Sequence, residues 1–331
     1  MRARIRRFSL TPRQYFLVSA LALAALTLIV FTGAGVRVTG SGLGCPDWPN
    51  CYQNGRLVAE SNSHAWIEFG NRLLTGLISI AAIAACALAF FRRPFRKDLA
   101  VIGVLLPLGV VAQAVLGGLT VLYGLAPGWV MGHYGLSMVV LVAAATLAWR
   151  ARPAYGGEPR AADLATARAC WVLFALGAVT VFAGTAATAA GPHAGASGTG
   201  EIVKRLHFEG AGTLTWIVDR HGALAVLLGL LAIATWALAR RRGANPELRL
   251  RLLRICLLMA LQGVLGIVQY ELKLPTELVW VHVDLAALLW VGIVLAAVQA
   301  GSPRREPAPG ALPALGGAAA RADAPASAAR S

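Results

Sequence analysis

Residues 99–149 read LAVIGVLLPLGVVAQAVLGGLTVLYGLAPGWVMGHYGLSMVVLVAAATLAW, a run of 51 positions without one Asp, Glu, Lys or Arg. A bilayer core takes about 20 apolar residues per helix, so the run holds two spans and the turn between them. That turn is Tyr123-Gly-Leu-Ala-Pro-Gly128, where glycine and proline break helical continuation. Working outward, the same kind of apolar run recurs on both sides. Eight spans are expected, at 15–36, 67–91, 99–122, 129–149, 169–190, 213–239, 252–271 and 278–300. The seventh is the least apolar, with only 255–270 free of charge. The first is too long, and lacks the small-residue cleavage site, for a signal peptide, and it reads as an anchored helix.

Composition agrees with this reading. Of 331 residues, 57% are hydrophobic and 14% charged, and the mean hydropathy is +0.65. A water-soluble domain carries closer to a quarter charged residues, so a soluble globule is excluded. The fold class expected is an all-α integral membrane protein.

A net charge of +15 raises nucleic acid as a partner. The positions of the charges argue against it. Of the 30 basic residues, 23 fall in the N-terminus, in alternate loops and in the C-terminal tail. Arg37, Arg56, Lys204, Arg205 and Lys273 lie in the other loops, with Arg72 and Arg220 at helix starts on that side. Such a bias puts both termini in the cytoplasm, and the basicity orients the chain in lipid without calling for nucleic acid. The expected organisation is a basic N-terminus at 1–14, a four-helix half at 15–149 and a linker at 150–168. A second four-helix half follows at 169–300, then an Ala- and Pro-rich disordered tail at 301–331. Trp66, Trp129, Trp216 and Trp280 fall near outer ends and Trp149, Trp171 and Trp236 near inner ones, as in an interfacial belt.

The halves resemble each other. Gln113-Ala-Val-Leu-Gly117 and His133 are matched at a shift of 149 by Gln262-Gly-Val-Leu-Gly266 and His282. Val30, Phe31, Gly33 and Gly40 are matched at a shift of 151 by Val181, Phe182, Gly184 and Gly191. Asn71 falls opposite His221, at a shift of 150. Four spans is an even number, so the two copies enter the membrane from the same side and form a parallel repeat.

His133, His221 and His282 lie inside predicted spans, in the first turns from the outer end. Ionisable residues there are costly and mark sites. One reading of each is a neutral imidazole bridging two helices. The repeat-related placement gives a second reading, because His221 and His282 can face one another at equal depth across a four-helix bundle. That arrangement suits a bis-histidine haem. Zinc is the rival metal, but only Asp284 shares that level, and it is on a different helix face from His282. In the first half His133 has Asn71 opposite, a poor iron ligand. A haem held there by His133 alone keeps an open position suited to oxygen activation, whereas the bis-histidine site suits electron transfer. Alternatively, Asn71 bonds between helices and the first half holds no haem of its own, or the loop residue His64 swings in as ligand.

Glu68 shares a helix face with Asn71. It reads either as an exposed carboxylate at a helix start or as an acid poised at a haem edge. Arg72 and Arg220 either pair with haem propionates or snorkel to the interface. Gln113 and Gln262 read as interhelical bonds. Cys45 and Cys51 frame Cys-Pro-Asp-Trp-Pro-Asn-Cys in the first outer loop and read as a disulfide closing a small loop over the first bundle. Cys86, Cys170 and Cys256 read as packing residues.

Val38-Thr-Gly-Ser-Gly-Leu-Gly-Cys-Pro-Asp-Trp-Pro-Asn-Cys51, followed by Ile67-Glu-Phe-Gly-Asn-Arg-Leu73, resembles the haem A synthase family of bacterial membranes and mitochondria. The likeness extends over about 15–300. The resemblance implies oxidation of the C8 methyl of haem O to the formyl group of haem A for cytochrome oxidase. The implied route is two hydroxylations and loss of water from a gem-diol, with electrons passing through an unidentified donor. It implies a haem b cofactor between His221 and His282, and a substrate haem in the first half with His133 as a ligand. Glu68 matches an essential carboxylate, and Cys45 with Cys51 match the loop disulfide. Haem O synthase and oxidase assembly factors are the protein partners it suggests, with lipid around the spans. This chain departs from the family pattern at Asn71, where the usual motif has His. The rival readings are a haem b electron carrier or regulatory relative without synthase activity, and a transporter built on the repeat. Against the transporter, no span is interrupted at mid-depth.

Overall fold

A computed structural model describes residues 8–52, 63–153, 162–196 and 199–301. Its helices are α1 (Pro12–Val38), α2 (Ser63–Ala89), α3 (Lys97–Leu122), α4 (Pro127–Ala151), α5 (Leu164–Ala190), α6 (Thr213–Arg241), α7 (Pro246–Glu271) and α8 (Thr276–Gly301). A short 3₁₀ turn, Gly210–Gly212, leads into α6. All eight are long and apolar enough to cross a membrane. Among the described residues the only β pairing is an isolated bridge between Leu10 and Arg92. The chain is an all-helical, multi-pass membrane protein. Apart from Gly301, which ends α8, the expected disordered tail lies outside the described residues.

The helices run past the apolar segments because capping chemistry, not hydropathy, sets their ends. Thr11 and Gln14 form a capping box in front of Pro12, so α1 starts three residues before its apolar run. The largest difference from expectation is α7, which begins at Pro246 rather than at 252. The Asn245 side chain accepts the Glu247 N–H at 2.8 Å and caps it. Arg251, inside this added stretch, donates to Gln299 of α8 at 2.9 Å. Charged residues therefore sit inside the helix where its end is tied to a neighbour. Between α3 and α4, Gly124 and Leu125 both take positive φ, 59° and 56°. This reverses the chain at the turn that the Gly-Pro pattern marks.

Helices α1, α2, α3 and α4 pack as a ring in which each touches the next and α4 closes on α1. Helices α5 to α8 do the same. The rings meet along a seam where α8 lies against α1 and α4, and α4 also touches α5. Small residues such as Ala22, Ala82, Ala85, Ala144 and Ala287 fill the buried positions, so the backbones approach closely. Leu21, Leu77, Val111, Leu230 and Ile267 point outward and are exposed, as lipid-facing residues would be.

Two tryptophans stitch the seam. Trp290 donates its indole N–H to the Met138 carbonyl at 3.0 Å, and Trp280 donates to the Phe31 carbonyl at 2.9 Å. Trp280 also lies over Gly35, where an added Cβ would come within 3.3 Å of its ring. The belt reading of Trp280 is thus incomplete: it also joins the two rings. At the basic end Arg96 donates to the Arg150 carbonyl at 2.7 Å. There Arg152 pairs with Glu247 at 2.9 Å across the seam.

Candidate functional site

At the end of the rings opposite Arg96 and Arg150, four equivalent contacts pair a polar side chain with a glycine. His221 of α6 lies over Gly184 of α5, and His282 of α8 over Gly266 of α7. In the other ring His133 of α4 lies over Gly117 of α3, while Asn71 of α2 is near Gly33 of α1. A Cβ at Gly184, Gly117 or Gly266 would meet the imidazole Cε1 at 3.0, 3.1 or 3.4 Å, whereas at Gly33 the nearest atom is Asn71 Nδ2 at 4.0 Å. A side chain at Gly184 or Gly117 would crowd the imidazole above it, and one at Gly266 would just touch His282. The repeat in the sequence aligns these glycines without giving them a role. A glycine one helix away from each intramembrane histidine is the signal that could have found them.

The glutamines fix the helices that carry two of these rings. Gln113 Nε2 donates to the His133 carbonyl at 3.1 Å and to Ser137 Oγ at 2.6 Å. Gln262 Nε2 donates to the His282 carbonyl at 3.0 Å. Both are interhelical bonds, as the sequence suggests.

His221 and His282 face each other with ring centroids 6.4 Å apart and planes at 77°. Two metal–nitrogen bonds of about 2 Å, with ring centres about 1 Å further along each, place two axial imidazole centroids about 6 Å apart. The observed spacing fits an ion between them. The Thr180 carbonyl lies 3.1 Å from His221 Nδ1. A carbonyl only accepts, so Nδ1 carries the proton and Nε2 keeps its lone pair for a metal. His282 Nδ1 is buried and has no hydrogen-bond partner. Among the described residues no cluster of three or more His, Cys, Asp or Glu side chains forms around a metal position. The pair offers two imidazole donors, and Asp284 Oδ1, two residues from His282, is buried without a partner.

The first ring departs in more than one residue. Asn71 Oδ1 and His133 Nδ1 are both buried without a partner. His64 is not on a loop as expected: it sits in the first turn of α2, with Nδ1 2.8 Å from Ser41 Oγ. It shares the Asn71 face, two turns away.

Glu68 is only 5% exposed, which overturns its reading as an exposed carboxylate. Oε2 accepts the Cys45 N–H at 2.8 Å, and Oε1 accepts from Arg72 at 2.6 Å. Arg72 neither snorkels nor stands free. Its guanidinium donates to the carbonyls of Asp47 at 2.9 Å, Cys45 at 3.1 Å and Asn50 at 3.2 Å. The Cys45–Cys51 disulfide is formed and buried, and it closes the loop that this pair grips. Trp48 of the loop rests on Gly118 of α3, and Gly44 passes so close to the His64 carbonyl that any Cβ would collide at 2.4 Å. The loop is thus a cap seated on α2 and α3. Arg220 is exposed, stacked 3.6 Å over Trp216 and bonded to its carbonyl at 2.9 Å.

An eight-span helical protein with a facing imidazole pair and a disulfide-closed cap defines a polytopic membrane protein with a built polar site. The chain belongs to the COX15-CtaA family, described as cytochrome oxidase assembly protein, whose family model matches residues 15–291. It is 33% identical over 124 residues to a heme A synthase of Lysinibacillus sphaericus, covering 37% of this chain and 40% of the relative. It is 37% identical over 136 residues to a heme A synthase of Listeria welshimeri, covering 39% and 43%. A Bacillus pumilus heme A synthase matches at 30% over 134 residues, covering 40% and 43%. Each match thus covers less than half of the relative's length.

Proposed function

We propose that this protein is a haem A synthase, oxidising the C8 methyl of haem O to the formyl group of haem A. The relatives carry that name, and the family membership supports a haem-handling role in oxidase assembly. The observation that carries the reading is the pairing of His221 with His282 at 6.4 Å, beside a second ring that offers one imidazole rather than two. In this reading residues 15–149 take the substrate haem and 169–300 hold a haem b, with both sites toward the extracytoplasmic side and both termini in the cytoplasm.

When bound, the haem b supplies one-electron transfer. His221 and His282 hold it, and the Thr180 carbonyl keeps the His221 proton on Nδ1 so that Nε2 stays free to ligate. His133 would hold the substrate's iron, and Asn71, a poor ligand on α2, would leave room for oxygen chemistry. The apolar walls of the first ring bury the macrocycle and its isoprenoid tail. The 45–51 cap, gripped by Arg72 and Glu68, excludes water from above. Glu68 stands one turn from Asn71 and is the acidic group placed to manage a proton near the substrate. The electron donor is a separate redox partner, and haem O synthase is the natural supplier of substrate.

Asn71 is the observation that favours a second reading, a haem-binding electron carrier or regulatory relative without synthase activity. Pigment extraction separates the two. The chain is expressed in a membrane that makes haem O but lacks haem A, and its haems are extracted and resolved by chromatography. Haem A appears with the wild type and falls at least tenfold with Glu68→Ala. A reversible haem b spectrum with no haem A supports the carrier.

A further inference from the structure

Of the two arginines with a case in the sequence for binding porphyrin carboxylates, Arg72 is held by Glu68 and four loop carbonyls. Arg220 is exposed on α6 of the other ring, stacked on Trp216. A tetrapyrrole in the first ring still brings two propionates, and their charge needs a partner at the outer rim. Arg37, until now only a loop charge in the topology, meets that need.

Arg37 lies in the last turn of α1. It is one turn beyond Gly33, on the same face, and a Cβ at Gly33 would lie 4.0 Å from Asn71 Nδ2. At 1.5 Å per residue it stands about 6 Å further out than Gly33, toward the rim. The Arg37 stem passes beneath the 191–196 segment, its Cγ 3.7 Å from where a Gly195 Cβ would sit. That segment is tied to the first loop, because Gly42 N–H donates to the Gly195 carbonyl at 2.7 Å. Leu125 from the α3–α4 turn closes in beside both glycines. Segments from both rings thus meet beside the Arg37 stem. Arg37 Nε is nevertheless buried with no hydrogen-bond partner, and no Asp or Glu pairs with it among the described residues. The residue as a whole is half-buried, and a buried guanidinium N–H without an acceptor is costly unless an anion completes it.

We infer that Arg37 anchors a propionate carboxylate of the tetrapyrrole bound in the first ring. This rests on the reading of that ring as the substrate site, and it adds what orients the substrate there. Two parallel N–H donors match a carboxylate in plane, so the anchor fixes which edge of the macrocycle faces the rim. The opposite edge then points down between α2 and α4. The corresponding position in the other ring, at the shift of 151, is Thr188, whose hydroxyl is spent on the Gly184 carbonyl at 3.0 Å. The anchor therefore belongs to the first ring alone.

The test uses the purified full-length chain with its second site loaded, titrated with ferric protoporphyrin IX and separately with its dimethyl ester, which removes both carboxylates. Wild type binds the diacid about tenfold or more tightly than the diester, as expected for a charge-assisted bidentate contact. Arg37→Gln lowers diacid affinity to the diester level and leaves the low-spin spectrum of the His221–His282 pair intact, which certifies the fold. If Arg37→Gln loses that spectrum, Arg37→Lys takes its place and retains a preference smaller than wild type. An undiminished preference in the variant overturns the anchor, and is also the result expected if Arg37 holds a lipid phosphate. Wild-type binding with no preference overturns it too. A wild type that takes no porphyrin through His133, judged by an unchanged titration in His133→Ala, overturns the substrate-site reading and Arg37's role with it.

Discussion

The α5–α8 ring and the α1–α4 ring set their polar side chains in similar beds and furnish them differently. In the former, imidazoles from α6 and α8 face each other over Gly184 and Gly266. In the latter, α4 contributes His133 over Gly117, but α2 contributes Asn71, and only this ring carries the disulfide cap and its Arg72–Glu68 grip. A site with two equal donors holds a metal symmetrically and keeps its coordination on oxidation and reduction, which suits electron transfer. A site with one strong donor, a weak one opposite and a tight lid suits a molecule that arrives, reacts and leaves. The contrast comes from a few residues placed in otherwise matching helices.

The largest effect that would break this contrast is removal of the cap's grip. Arg72→Ala leaves Glu68 buried without its cation, and losing one partner of such a pair costs about 3–5 kcal/mol. The cap should loosen. In the wild type, thiol alkylation should reach Cys45 and Cys51 only after strong reduction. In Arg72→Ala it should occur at mild reductant concentrations while the low-spin signal of the other ring persists. Equal protection in both proteins would show that the grip is dispensable, and free thiols in the native wild type would remove the disulfide.

Asn71→His sharpens the contrast by erasing it. The first site should gain a second imidazole and move toward six-coordinate low spin when haem is added. An unchanged spectrum would mean that Asn71 does not face the iron. The smallest effects are expected at the glycines. Gly184→Ala pushes a Cβ to 3.0 Å from the His221 ring and should shift or broaden the low-spin signal. Gly33→Ala meets Asn71 only at 4.0 Å and should leave both sites spectroscopically unchanged. Equal responses from the two substitutions would show that the glycine beds do not matter.

Much of this is legible in the sequence because lipid imposes simple rules. Charge-free runs give spans, and matched Gln–Gly–His spacing places histidines at common depth. A polar residue within an apolar run must find a partner, so Gln113 and Gln262 can be assigned to neighbouring helices before any coordinates. Long flexible side chains are harder to assign. Arg72, Arg220 and Arg37 all appear as basic residues near an outer end, and nothing in their spacing shows that one grips a loop, one stacks on Trp216 and one finds no partner for its Nε among the described residues. Their roles depend on where backbone carbonyls of distant loops come to rest. His64 reads as a loop residue for a related reason, since α2 starts at Ser63, ahead of its apolar run. Trp280 looks like a belt residue because sequence records its depth but not the Phe31 carbonyl across the seam.

The central claim is a division of labour between two sites. Low-spin haem absorption and electron paramagnetic resonance of the purified chain, compared among His221→Ala, His282→Ala and His133→Ala, test it most directly. With the labour so divided, the low-spin signal vanishes in the first two variants and survives in the third. Survival in both His221→Ala and His282→Ala, or loss in His133→Ala alone, would contradict it.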